Sequence, residues 1–399
     1  MFDFKKNYEY YKSQLFDSIV PFWENYSIDE EFGGILNCLD RTGKVYSTDK
    51  SVWLHGRCAY MFSRLCNTYG KIDCWLAIAK SCLDFLNDNC IDKDGRMFFV
   101  VTRDGKPVRK RRYYFSETFY IIANAEYYKA TGDYEALNNA KKYFELVYSI
   151  SCYPSNDPFK ITPKFCEGVR PSKSLACPMI LLNVATIMAG SDTDNKEKYV
   201  EIVKKLVKDV ELFNKKGTTL MLESVGENGE YISDISTYRI INPGHSIELS
   251  WFLIEASNLL EDESLLEKAE KIFNSAFAIG WDKEYGGLLY FVDCECKPVE
   301  AYEHDMKLWW PHTEALIASM MLYQKTKKEK YLRIFQKVTN YVKKHFADDE
   351  YGEWFGYLRR DGKPTMPPCK GHTYKGPFHT VRAALMVEQM LKAEIENKG

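Results

Sequence analysis

Apolar residues recur along this chain mainly at three- and four-residue intervals, in stretches long enough for several helical turns. The pattern predicts helices over residues 4–25, 51–69, 72–89, 116–130, 134–150, 173–189, 195–213, 245–260, 264–277, 311–326, 329–345 and 376–392. Thr131-Gly132-Asp133 and Glu261-Asp262-Glu263 leave room only for tight turns, so the helices they join run antiparallel and adjacent. Between successive pairs lies a recurring non-helical element. Asp29-Glu30-Glu31-Phe32-Gly33-Gly34-Ile35 returns as Asp282-Lys283-Glu284-Tyr285-Gly286-Gly287-Leu288 and as Asp349-Glu350-Tyr351-Gly352-Glu353-Trp354. A degenerate copy is Asp92-Lys93-Asp94-Gly95-Arg96-Met97-Phe98. Three copies lead to the turns Arg41-Thr42-Gly43-Lys44, Arg103-Asp104-Gly105-Lys106 and Arg360-Asp361-Gly362-Lys363, whose glycines supply the positive φ of short β-hairpins.

About six units of helix, hairpin, helix and tight turn predict an all-α fold, an (α/α)6 barrel formed by one domain over residues 1–399, with short β-hairpins at one end. In such a ring the even-numbered predicted helices line the centre, and their N-termini converge beneath the hairpins. There, free amide donors favour developing negative charge.

The chemistry-bearing residues cluster at those N-termini. The second predicted helix opens with Val52-Trp53-Leu54-His55-Gly56-Arg57, placing Trp53 and Arg57 on one face. The eighth opens with Asn242-Pro243-Gly244-His245-Ser246-Ile247-Glu248, with His245 and Glu248 three apart. The tenth opens with Lys307-Leu308-Trp309-Trp310-Pro311-His312-Thr313-Glu314, and the twelfth with Gly376-Pro377-Phe378-His379-Thr380-Val381-Arg382. Each has a structural reading beside the functional one. A histidine can cap a helix, Trp309 and Trp310 can be core, and Arg57 can pair with Glu248 or Glu314. Convergence at one mouth favours chemistry. His55 and His312 are expected to support better-placed neighbours, and His304, His345 and His372 to lie in loops or at the surface.

The 399 residues are 45% hydrophobic and 28% charged with a net charge of −2, an ordinary globular balance that argues against an electrostatic nucleic-acid binder. The basic run Arg109-Lys110-Arg111-Arg112 reads as a solvated loop or a local anion contact. An aromatic content of 15% is high, and a ring-lined sugar or base cavity accounts for part of it. The twelve cysteines are scattered without a CxxC pair and read as buried free thiols of a cytoplasmic protein. The N-terminus lacks a signal-peptide core, and no apolar run reaches the ~20 residues of a spanning helix. No zinc spacing, phosphate loop or dinucleotide loop occurs, so no metal is expected. Two histidines and an arginine without an evident cofactor fit proton transfer at a carbon beside a carbonyl. One histidine removes the proton, the other returns it from the opposite face, and Arg57 stabilises the enediolate oxygen. Glu248 is expected to orient or tune His245.

These motifs, with Phe115-Ser116-Glu117…Phe119-Tyr120 and Glu350-Tyr351-Gly352-Glu353-Trp354-Phe355-Gly356-Tyr357-Leu358, resemble the N-acylglucosamine 2-epimerase family, known in animals as renin-binding protein, over nearly the whole chain. The resemblance implies a homodimeric (α/α)6 barrel that interconverts N-acetylglucosamine and N-acetylmannosamine through a ring-opened sugar, in amino-sugar salvage or sialic-acid supply. It implies no cofactor for the chemistry, and ATP as an activator of several members. Its paired histidines fall on His245 and His379, its essential arginine on Arg57 and its acidic partners on Glu248 and Glu314. Arg382, Trp53, Trp309, Trp310 and Met179 are the expected substrate contacts. Related mannose isomerases and cellobiose 2-epimerases carry a further histidine at the start of the sixth helix. Leu175-Ala176-Cys177-Pro178-Met179 stands here instead, an apolar wall suited to an acetyl methyl. His55 stands where glutamine is expected. A related sugar epimerase or isomerase and a non-catalytic binding protein remain the alternative readings.

Overall fold

The structure, a computed structural model, describes residues 2–110, 113–153 and 169–397. Its helices are α1 (Phe4–Ser13), a π-helical segment (Gln14–Ile19), α2 (Val20–Tyr26), α3 (Val52–Tyr69), α4 (Asp73–Asn89), α5 (Phe115–Thr131) and α6 (Tyr134–Cys152). They continue with α7 (Ala176–Ala189), α8 (Lys196–Glu211), α9 (Pro243–Leu260), α10 (Glu263–Gly280), α11 (Trp309–Thr326), α12 (Lys330–His345) and α13 (Phe378–Glu396). The inner helices pack in the closed order α3, α5, α7, α9, α11, α13 and back to α3, while α1, α4, α6, α8, α10 and α12 each pack against an inner partner from outside. This is the (α/α)6 barrel. Burial follows the layers: α8 and α12 bury one apolar stripe each, whereas α5 and α11 are buried around nearly their whole circumference.

Two boundaries differ from the sequence pattern. The first predicted helix contains the π-helical segment, just before Pro21. Lys173 and Ser174, expected to open a helix, lie instead in the strand Ser172–Ser174 paired with Ser224–Gly226, and α7 starts after it. Of the basic run Arg109-Lys110-Arg111-Arg112, the last two residues lie outside the described residues. Of the cysteines expected as buried thiols, Cys38, Cys58, Cys66, Cys82 and Cys90 are buried, but Cys74, near the start of α4, and Cys296 are exposed.

The hairpins join the ring at the end where the inner helices begin. Short strands leading into inner helices pair with the hairpin of the following unit: Lys50–Ser51 with Val100–Val101, Ile240–Ile241 with Val292–Asp293, and Lys307–Leu308 with Tyr357–Leu358. The bridge between Asp40 and Cys369 closes the circle. A repeated ion triad, its aspartate and lysine buried and its arginine partly exposed, reinforces this. Asp29 holds Lys50 at 2.9 Å and Arg103 at 2.7 Å; Asp282 holds Lys307 and Arg360; Asp348 holds Lys370 and Arg41. Lys50 and Lys307 stand just before α3 and α11, Lys370 lies in the longer segment leading to α13, and each arginine comes from the hairpin of the next unit, so the triads tie the lead-in of an inner helix to the neighbouring hairpin.

Candidate active site

A cavity of about 910 Å3 opens at that end of the barrel. Its polar inner part is built in two tiers. The first turns of four inner helices contribute Trp53, His245, Trp309 with Trp310, and His379, and one turn deeper the same helices contribute Arg57, Glu248, Glu314 and Arg382. The remaining two inner helices supply an apolar wall that includes Phe119, Met179, Ile180 and Val184. All ten residues expected at the site are therefore brought together. Nine line the cavity, and Glu314 lies fully buried behind His379.

The sequence Asn242-Pro243-Gly244-His245 acquires a local explanation. The Asn242 side chain caps α9 by accepting the His245 amide at 3.2 Å, and Pro243 fits the first helical position. A Cβ on Gly244 would lie 2.5 Å from the Trp310 ring. The missing side chain lets the indole close in, with ring centroids 5.1 Å from His245 and 5.9 Å from His379. Trp310 thus spaces the two imidazoles.

Each of these imidazoles has its Nδ1 committed to a carboxylate. His245 Nδ1 lies 2.9 Å from Glu223 Oε2, and His379 Nδ1 lies 2.8 Å from Glu314 Oε1. A carboxylate is an acceptor, so both bonds assign the proton to Nδ1 and present Nε2 to the cavity. Arg382 Nη2, 3.3 Å from His379 Nδ1, spends its hydrogens on Glu248 at 2.7 Å and Glu314 at 2.8 Å. The Trp251 indole N–H donates to the other Glu314 oxygen at 2.9 Å, completing the support behind His379.

The electrostatic surroundings of the two rings are opposite. For His379, burial and then the Arg382 and Arg57 cations push the pKa well below the ordinary 6.5, leaving a neutral base. Burial also disfavours the charged form of His245, but the Glu223 carboxylate and, further off, Glu248 more than offset it and hold the pKa above 6.5. Arg57 lies over the Phe119 and Phe378 rings, 4.1 and 5.1 Å from their centroids. Burial lowers its pKa to about 9, so it stays cationic at neutral pH. Its Nε has no hydrogen-bond partner among the described residues, and neither do the indole N–H groups of Trp53 and Trp309. All three residues line the cavity, although these particular atoms are closed off from its surface.

One expectation is met only in part: Glu248 raises the His245 pKa from a distance, but it pairs with Arg382, and Glu223 orients the ring. The alternative structural reading of Arg57 fails, since among the described residues it makes no ion pair with Glu248 or Glu314; it donates to the Tyr374 carbonyl at 3.4 Å. Glu223 was missed because its copy of the repeat, closed by the bridge between Asn214 and Met221, lacks the acidic and diglycine signature of the others. Alignment on those bridges would have found it. Glu223 lies two residues past the bridge, as Phe99 and Tyr290 do, and those rings pack against Trp53 and Trp310. His372, expected in a loop or at the surface, lines the cavity.

His55 and His312 do support neighbouring structure. In each, Nδ1 donates to the carbonyl four residues back, and Nε2 accepts the amide of the residue after a diglycine, Ile35 or Leu288. Burial drives both pKa values down to about 3. Glu248, Glu314 and His379 also bring one possible metal-ligand atom each within 4.8 Å. The space between the two carboxylates is already bridged by the Arg382 cation.

A closed six-pair helical barrel with paired histidines at its mouth defines the scaffold of a carbohydrate epimerase or isomerase. The chain belongs to the family described as N-acylglucosamine 2-epimerase (GlcNAc 2-epimerase), whose sequence model matches residues 33–383. It is 38% identical to N-acylglucosamine 2-epimerase from Bos taurus over 94% of this chain and 89% of that protein. It is 35% identical to the Rattus norvegicus enzyme over 97% and 92%. The fold matches the solved cellobiose 2-epimerase of Spirochaeta thermophila with a TM-score of 0.85, at 22% identity over 98% of both chains. No described helix is long and apolar enough to cross a membrane.

Proposed function

We propose that this protein interconverts N-acetylglucosamine and N-acetylmannosamine by moving a proton at C2 of the open-chain sugar. One observation carries this reading: two imidazoles, each held at Nδ1 by a carboxylate, present Nε2 to a cavity that the half-buried Arg57 also lines. Neutral His379 takes the C2 proton; the C2–H electrons pass into the enolate of the aldehyde, with the acetamido group still on C2, and charge gathers on the former aldehyde oxygen. Arg57 holds that oxygen by charge and hydrogen bonding in a site largely shielded from water. Protonated His245 delivers its Nε2 proton to the other face of C2 and restores the aldehyde with inverted configuration. Each turnover exchanges the protonation states of the two histidines, and the reverse reaction begins from the exchanged form. The chemistry needs no cofactor, since imidazoles both take and return the proton.

The substrate assignment follows the family and is supported by the wall around Met179, which offers an apolar seat for an acyl methyl. Among the described residues no lysine lines the cavity, and Arg382 is already paired with two carboxylates, which favours an unphosphorylated sugar. The family likeness also supports a homodimer, read by sedimentation equilibrium, and activation by ATP. The free thiols support a cytoplasmic setting.

The test is incubation with N-acetylmannosamine, N-acetylglucosamine, mannose or cellobiose in D2O, with and without ATP, followed by NMR at C2. Deuterium at C2 together with epimer from the N-acetyl sugars alone is the expected result. Ketose product would replace epimerisation by isomerisation, and inertness toward all four sugars would put a binding role in its place.

A further inference from the structure

The proposed reaction works on an open-chain sugar, whereas hexoses in water are almost entirely closed rings. Opening the ring moves a proton from the anomeric hydroxyl, O1, to the ring oxygen, O5, across C1. His245 and His379 are engaged one carbon away, and the C2 step depends on which of them carries a proton. A separate acid–base group beside C1 opens the ring without altering that state.

His372 lines the same cavity, and the C2 chemistry leaves it unused. Two chains of contact place it at the C1 end of the sugar. Its ring centroid lies 5.8 Å from that of Tyr374, whose carbonyl accepts from Arg57, the group assigned to the aldehyde oxygen. On its other side it lies 5.5 Å from Tyr357, which meets Trp309 at 5.5 Å, and Trp309 lies 6.1 Å from His379. His372 therefore stands between the Arg57 side of the cavity and the His379 side.

The backbone that carries it is pinned. The Lys370 and Gly371 amides both donate to the Leu39 carbonyl at 3.0 Å, and His372 and Lys375 exchange amide-to-carbonyl bonds of 2.9 and 3.1 Å. A Cβ on Gly371 would lie 2.2 Å from the Asn37 carbonyl oxygen, so the two segments meet as closely as backbone allows. The imidazole itself is held less rigidly than those of the C2 pair. Its Nδ1 lies 3.3 Å from the Tyr357 hydroxyl. A hydroxyl donates or accepts, so it supports the ring whichever nitrogen carries the proton, as a carboxylate does not. Nε2 has no hydrogen-bond partner among the described residues. Burial lowers the pKa below 6.5, which leaves the ring a free base at neutral pH.

We propose that His372 opens and closes the sugar ring, so that the protein also interconverts the two anomers of its N-acylhexosamine. The inference rests on the proposed C2 epimerisation and supplies its first and last steps. Nε2 takes the O1 proton, and the O1–H electrons form the C1=O1 bond. The C1–O5 bond breaks with its electrons on O5, and the imidazolium returns the same proton to O5. Both oxygens are bonded to C1, so one nitrogen serves both. His372 ends neutral, the C2 pair is unchanged, and the new aldehyde oxygen is left to Arg57.

The experiment dissolves the crystalline α anomer of N-acetylglucosamine in D2O with protein and follows β-anomer formation and deuterium at C2 by NMR. It compares wild type, His372→Gln and the double variant His245→Gln/His379→Gln, which lacks both C2 bases. Glutamine can still bond the Tyr357 hydroxyl but cannot carry the proton; His372 is half-buried, so the variant should fold, and melting temperatures are compared. Wild type is expected to interconvert the anomers faster than buffer alone. His372→Gln is expected to lose about 10²-fold in both catalysed anomer interconversion and C2 exchange, with KM little changed. The double variant is expected to lose C2 exchange and keep anomer interconversion, a separation that a merely structural role for His372 does not produce. Epimer formation by a wild type that leaves the anomer rate at its buffer value would overturn the assignment. So would full anomer interconversion in His372→Gln, or an equal loss of it in the double variant. Each of these leaves the epimerase reading intact, whereas a wild type that forms no epimer would remove that reading itself.

Discussion

Four histidines sit in the opening turns of inner helices, and they divide into two pairs that differ by position along the helix. His55 and His312 are the fourth residues of α3 and α11, one turn past the capping residue, so Nδ1 reaches that residue's carbonyl and the ring turns outward toward the hairpins. His245 is third in α9 and His379 second in α13. One or two residues of helix turn a side chain by about 100–200°, and this brings the second pair around to the cavity, where carboxylates rather than carbonyls hold Nδ1. A carbonyl-held ring with both nitrogens bonded has no free site for a proton. A carboxylate-held ring with Nε2 open can give one or accept one. The same residue type therefore anchors a hairpin in one pair and is fitted for proton transfer in the other.

The sharpest way to break this comparison is to remove each ring in turn. His245→Gln and His379→Gln are each expected to lower epimerisation by about 10²–10⁴-fold, the usual contribution of a positioned acid or base. The melting temperature should change little. If either variant kept near-full turnover, the two-base assignment would fail. A discriminating readout is isotope exchange. With His245 replaced, His379 can still remove the C2 proton of one epimer, so exchange from that epimer should persist longer than net epimerisation. Arg57→Met comes next, expected to cost about 10²-fold in kcat, comparable to the loss of one oxyanion donor. A change confined to KM would show that Arg57 binds ground state and transition state equally.

The other pair should respond in stability. His312→Ala leaves the buried Leu288 N–H without its acceptor and removes a ring stacked on Tyr341, at an expected cost of about 3 kcal/mol by chemical denaturation. The folded fraction should retain turnover. The pH dependence has a definite sign. With a folded pKa of about 3 against an ordinary 6.5, the unfolded chain binds more protons between these values, so stability falls as pH drops from 6.5 toward 3. The slope is at most about 1.4 kcal/mol per pH unit for the one proton, and His312→Ala should remove that share of it.

Much of this architecture was legible because it depends on local chemistry repeated along the chain. The aspartate, diglycine and arginine-turn motifs require particular residues in particular backbone states, and Gly43, Gly105 and Gly362 all adopt positive φ, from 83° to 89°. The even-numbered helix starts carried their histidines and arginines openly. Contacts made between units were not legible. Glu223 and Glu248 lie at different points of the chain, and either could reach His245 by sequence separation alone. The structure favours Glu223 because the strand holding Ser224 places it beside the start of α9, while Arg382 arrives from α13 to take up Glu248. Arg57 likewise could have been an ion-pair residue until the aromatic rings around its guanidinium were in view.

Glu223→Gln gives the smallest expected effect and tests most directly whether the two active-site histidines are set apart by their surroundings. The reactive form needs His379 neutral and His245 protonated. The rate profile should therefore be a bell, with its acid limb set by His379 below pH 6.5 and its alkaline limb by His245 above it. Both directions of reaction share this bell, because the exchanged form carries the same number of protons. In Glu223→Gln the amide oxygen can still accept the Nδ1 hydrogen, so the ring stays oriented, but the negative charge that counteracts burial is gone. The His245 pKa then falls. The alkaline limb of kcat/KM should move toward acid, the acid limb should stay in place, and the variant should lag wild type far more at pH 8 than at pH 6.5. An unmoved alkaline limb would mean that another group sets it, and the contrast between the two carboxylate-held histidines would then have to be explained without Glu223.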